Sequence, residues 1–133
     1  MITAVHSATV IVGDQEGALT FYRDVLGWEV RENNKTPGMW WLTVAPPGSF
    51  TTLALGDPQA NGRPAPTPDN PVYTGISLLT DDIEADYATL GGRGVAFKQQ
   101  VGTMPWGDRA TWFSDPWGNE FYLIQPTGSG GGL

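Results

Sequence analysis

Few residues in this chain are able to carry chemistry. His6 is the single histidine, and there is no cysteine. Thiolate metal sites, disulfides and a cysteine nucleophile are therefore excluded. A zinc, iron or nickel centre needs imidazoles and carboxylates converging on one point, and one histidine cannot supply them. Tyr122 and Glu120 stand two residues apart in an apolar run, which on a strand places them on one face. Tyr122 as acid or base, with Glu120 or His6, is the one catalytic constellation that can be assembled. A phenol ionises near pH 10 unless its surroundings help it, so this group would need a lowered pKa to work at neutrality. Asp81-Asp82 is better explained as a helix cap than as a ligand pair. Asp108-Arg109 reads as a local ion pair, with charge neutralisation of an anionic substrate as the alternative for Arg109.

Aromatic residues offer more. Six tryptophans occur in 133 residues. Most are expected to serve packing or a dimer interface, and some could form a stacking wall for a flat aromatic ligand. The formal charge is −7, with 7 Lys and Arg against 14 Asp and Glu, and the cations are not clustered. Such a surface repels a phosphate backbone or an anionic membrane, so neither nucleic acid nor membrane is an expected partner. It favours a cationic ligand. No run approaches the roughly 20 apolar residues of a membrane helix, and together with the absence of cysteine this points to the cytoplasm.

The elements that must position these residues follow one pattern twice. Ala4 to Val12 alternates as a strand. Asp14 caps a helix from Gln15 to Leu26, and Gly27 stops it. Trp28 to Asn33, Met39 to Ala45 and Thr51 to Leu55 read as strands, completing β-α-β-β-β. The stretch 57–71 holds Pro58, Pro64, Pro66, Pro68 and Pro71 and is predicted to be an extended linker. The pattern then restarts with a strand from Val72 to Thr80 and a helix from Ile83 to Leu90. Strands from Val95 to Val101, Arg109 to Phe113 and Glu120 to Gln125 follow. The expected organisation is one α+β unit of two βαβββ modules, 1–56 and 72–126, with a flexible tail over 127–133.

The wording of two segments is also familiar. Asp14 to Val30, DQEGALTFYRDVLGWEV, resembles the first helix and second strand of the vicinal oxygen chelate superfamily, which includes glyoxalases, bleomycin resistance proteins and extradiol dioxygenases. Trp106 to Gln125, WGDRATWFSDPWGNEFYLIQ, resembles that superfamily's final hairpin. Within it, Asp115-Pro116-Trp117-Gly118-Asn119 makes a turn, with proline where its fixed φ is useful and glycine where a positive φ is cheap. The resemblance implies a curved mixed sheet forming a cup with helices outside, and a homodimer. It also implies that enzymes of the family hold a divalent ion through four inward His and Glu positions. Counted onto this chain, those positions are Ser7, Ala54, Gly75 and Tyr122, none a strong ligand. No metal or other cofactor is therefore expected, with a divalent metal as the alternative should a one-residue shift bring His6 inward beside Glu120.

If Ser7 faces inward, Thr9 follows it, with Trp41, Thr52 and Ala54 from the neighbouring strands. In the second module Gly75 and Ser77 face in, then Trp112, then Tyr122. Trp106, between Pro105 and Gly107, is a candidate lid. This set is small, hydroxylic and walled by aromatics. Small residues at Ala54 and Gly75 are expected to open volume where a metal would sit. The expected function is metal-free capture of an apolar or aromatic small molecule, similar to the drug-sequestering resistance proteins. One alternative is a lyase, isomerase or dioxygenase with a non-standard site. The other is a sensor or subunit whose cup has become a protein-binding surface.

Overall fold

Residues 1–126 are described by the computed structural model; the tail at 127–133, expected to be flexible, lies outside the described residues. The chain divides into two compact units, Met1–Pro66 and a second beginning at Thr67. Among the described residues no helix is long and apolar enough to cross a membrane.

In the first unit β1 (Ser7–Ile11) leads into α1 (Gln15–Thr20), followed by β2 (Glu29–Thr36), β3 (Met39–Ala45), β4 (Thr52–Gly56) and α2 (Pro58–Asn61). The Asp14 carboxylate accepts from the Glu16 N–H and starts α1. From Phe21 to Val25 the helix widens to π geometry, its end marked by the Leu26 N–H donating to the Phe21 carbonyl at 3.1 Å. Gly27, at φ +77°, then reverses the chain. The sheet order is β1-β4-β3-β2, with β1 parallel to β4 and the other pairs antiparallel. Leu42, Val44, Leu53 and Leu55 are buried on one face, as are Val10 and Tyr22. Gln15 fastens helix to sheet by donating to the carbonyls of Trp40 and Leu55 at 3.0 and 2.9 Å.

In the second unit β5 (Val72–Leu79), α3 (Ile83–Gly92), β6 (Ala96–Phe97), β7 (Gly102–Thr103), β8 (Arg109–Ser114) and β9 (Asn119–Gln125) follow in order. The sheet runs β5-β9-β8-β6, with β7 also paired to β8. Asp82 caps α3 by accepting from the Ala85 N–H. Both sheets are mixed, and the fold is α+β.

Two expectations are corrected. The proline-rich 57–71 stretch is not uniformly extended. Asp57 accepts from the N–H groups of Gln59 and Ala60 and, with Pro58 at the first helical position, nucleates α2. Thr67 and Asn70 bridge each other in a turn. The strand expected from Val95 to Val101 shortens to β6, because Lys98, Gln99 and Gln100 are exposed and polar, and β7 follows only after Val101. That gap still follows β8, with the Lys98 N–H donating to the Trp112 carbonyl and Thr111 Oγ1 to the Gln99 carbonyl.

Candidate functional site

Strand registers decide which side chains share a face. In the first unit Ser7 lies opposite Thr52, and Thr9 opposite Ala54, which in turn faces Thr43. Trp41, two residues before Thr43, joins this row by alternation. Ser7, Thr9, Trp41, Thr52 and Ala54 therefore share one face of the sheet, and the aliphatic core residues occupy the other. Ala54 is buried and Thr9 exposed. A cavity of about 20 Å³, lined in part by Thr9, Trp41 and Ala54, lies here. That is room for a single water. The Thr52 hydroxyl oxygen is buried without a hydrogen-bond partner among the described residues.

Glu32 also lies on this face. A bulge between Val30 and Glu32 inserts Arg31 and leaves Glu32 opposite Thr43, whose hydroxyl bonds the carboxylate at 3.2 Å. The bulge shifts the alternation by one residue, which the sequence pattern alone does not reveal.

In the second unit the central pair is Trp112 opposite Tyr122, with ring centroids 4.9 Å apart and planes tilted by 45°. On its other edge Tyr122 lies opposite Ser77. Trp106, exposed at the tip of the loop between β7 and β8, donates its indole N–H to the Tyr122 hydroxyl at 3.2 Å. The residue expected to be a lid thus contacts the Tyr122 hydroxyl. Gly75 sits in a β5 bulge at φ +74°, with open space where a Cβ would stand, so the backbone conformation itself calls for glycine.

Burial pushes the Tyr122 phenol above its ordinary 10.0; the Trp106 hydrogen bond works against this, and the negative charge of Asp108 adds to it. This is the opposite of what a neutral-pH acid or base requires. A raised folded-state pKa makes the neutral phenol the favoured form. Its stabilisation is complete below pH 10 and declines as pH rises through the folded value. A difference titration of phenolate absorbance between the parent and Tyr122→Phe should reveal one phenol ionising above the ordinary range. A difference signal at or below 10 would refute this environment.

Each of the other two candidate catalytic groups has a contact within its own unit. His6 is exposed ahead of β1 and contacts the Ser7 hydroxyl at 3.2 Å. Glu120 shares the inward face of β9 and stands 3.7 Å from the Lys98 ammonium. Among the described residues no three His, Cys, Asp or Glu side chains are grouped so as to hold a metal ion. The expected Asp108-Arg109 ion pair is also corrected: Arg109 bonds Glu84 and the Thr103 hydroxyl. Asp108 is instead buried, and its Oδ1 has no hydrogen-bond partner among the described residues. Only the adjacency of Trp106, Asp108 and Trp112 to the final hairpin hinted at this in the sequence.

Known proteins resemble the chain over nearly its whole length. A glyoxalase/bleomycin resistance protein/dioxygenase superfamily protein from Sphaerobacter thermophilus DSM 20745 is 51% identical, at a TM-score of 0.85, with 93% of this chain and 98% of that one covered. TnmS3, an antibiotic binding protein from Streptomyces sp. CB03234, is 37% identical, with a TM-score of 0.79 and coverage of 95% and 98%. A glyoxalase/bleomycin resistance protein from the same Streptomyces strain is 36% identical, with a TM-score of 0.74 and coverage of 92% and 100%. No curated protein matches. The family's sequence profile matches residues 4–123, and the chain belongs to the Glyoxalase/Bleomycin resistance protein/Dioxygenase superfamily.

Proposed function

We propose that the protein is a metal-free binder that captures a flat aromatic small molecule by stacking, without breaking a bond. The observation that carries this reading is the Trp112–Tyr122 pair on one sheet, with Trp106 of the loop between β7 and β8 hydrogen-bonded to Tyr122. Such walls with a few polar anchors suit an apolar or aromatic ligand. The raised pKa of Tyr122 favours binding over acid–base chemistry. The resemblance to TnmS3 supports antibiotic capture as the biological setting. A homodimer acting in the cytoplasm completes the reading, and the exposed Val72, Tyr73 and Leu79 along β5 offer apolar surface for the second copy.

The test is a titration of tryptophan fluorescence with acridine, alongside metal analysis of the untagged protein after incubation with Ni, Zn, Mn and Fe(II). Saturable quenching, weakened about tenfold or more in Trp112→Ala, is expected with far less than one equivalent of metal. Near-stoichiometric metal that is lost in His6→Ala or Glu120→Ala would instead favour the enzyme reading.

A further inference from the structure

Asp108 is 4% exposed, and its Oδ1 is buried without a hydrogen-bond partner among the described residues. A carboxylate in that position is costly unless a cation or donor meets it. The nearest candidates in the sequence are committed elsewhere: Arg109 to Glu84 and Thr103, Lys98 to Glu120.

The loop around Asp108 fixes where this charge points. The Met104 N–H donates to the Asp108 carbonyl, and the Gly107 N–H to the Met104 carbonyl, each at 2.8 Å. This closes a tight turn with Trp106 at its tip, and Gly107 takes φ +101° to complete it. Asp108 therefore continues the β8 ladder by one residue. By alternation it shares the face of Ala110 and Trp112, which is the face of Tyr122. The influence of the Asp108 charge on the Tyr122 phenol agrees with that placement. A carboxylate beside two indoles and a phenol is the composition that receives a cation, since aromatic faces and a carboxylate attract the same charge.

We propose that Asp108 is the anchor for a cationic nitrogen of the captured ligand, and that Trp106 is the gate that must release Tyr122 to admit it. This rests on the aromatic-capture reading above and names the ligand class: a flat aromatic carrying a positive charge. Trp106 is suited to gating because it is 59% exposed and its indole N–H is held by one 3.2 Å bond. The bound cation would supply the partner that Asp108 Oδ1 lacks.

The experiment compares N-methylacridinium, permanently charged, with neutral acridine, using the parent chain and Asp108→Asn. The parent is expected to bind the cation about tenfold or more tighter than the neutral probe, and Asp108→Asn should abolish that preference while leaving acridine affinity within about twofold. Asp108→Asn should also raise the melting temperature of the ligand-free protein, because it removes a buried charge whose Oδ1 has no hydrogen-bond partner among the described residues. Equal affinity of the parent for the two probes, or an equal loss of both in Asp108→Asn, would overturn the anchor and leave aromatic capture standing. Failure of the parent to bind either probe would overturn both. A lowered melting temperature would show that Asp108 is already compensated and would also count against the anchor.

Discussion

Gly118→Ala is expected to destabilise the protein by about 4 kcal/mol, combining a strained positive φ with overpacking against backbone. Gly118 has φ +100°, and an added Cβ would lie 2.5 Å from the Thr67 carbonyl oxygen and 2.8 Å from its carbon. No flexible side chain is available to yield. Thr67 is itself held in a turn by exchanging backbone hydrogen bonds with Asn70, and the Gly118 carbonyl accepts from the Val72 N–H. The added methyl group must therefore push apart the final hairpin and the entry to β5. The contrast is Gly75→Ala, which meets open space and incurs only the backbone strain, about 1–2 kcal/mol. Denaturant midpoints of the two variants check this. A Gly118→Ala loss no larger than that of Gly75→Ala would show that the approach of Thr67 is not fixed.

Asp115→Ala should cost about 3 kcal/mol, because several buried donors lose the carboxylate that organises them. Asp115 is 3% exposed. Its Oδ1 accepts from the N–H groups of Trp117 and Asn119, each at 3.0 Å, and its Oδ2 accepts from Asn119 Nδ2 at 2.8 Å. Asp115→Asn keeps an oxygen for the two backbone donors but can turn an amide toward the Asn119 amide. It should therefore cost less than the alanine variant, about 1–2 kcal/mol. Thermal unfolding of both variants provides the check, and equal losses would mean that the side-chain bond to Asn119 carries the turn. Since β9 begins at Asn119, loosening this turn should also disturb the Trp112–Tyr122 pair and weaken quenching by acridine.

These two sites show what the sequence could reveal. The string Asp115-Pro116-Trp117-Gly118-Asn119 announces a turn because each residue type has a local reason to be there. That Gly118 also admits the backbone of Thr67 is a long-range fact, invisible to local propensity. The same division holds for the sheets. Alternation placed Thr9, Trp41 and Ala54 on one face and Trp112 with Tyr122 on another, since a strand's period of two needs no tertiary information. Bulges break that period beside Glu32 and around Gly75, which local alternation does not reveal. Alternation also made one strand of Val95 to Val101, of which only β6 forms before the exposed polar residues.

The chemistry divides in a similar way. With one histidine and no cysteine, the sequence by itself limited the available metal ligands, because ligand atoms cannot be supplied by folding. It also carried the aromatic supply and the family resemblance, both being matters of residue type and order. Tertiary structure alone decided that Trp106 reaches Tyr122, that Arg109 turns to Glu84, and that Asp108 is left buried without its neighbour's charge. Partner choice depends on which side chains converge after the loop between β7 and β8 has closed. Adjacent residues on a strand point to opposite faces, so sequence neighbours such as Asp108 and Arg109 meet different partners.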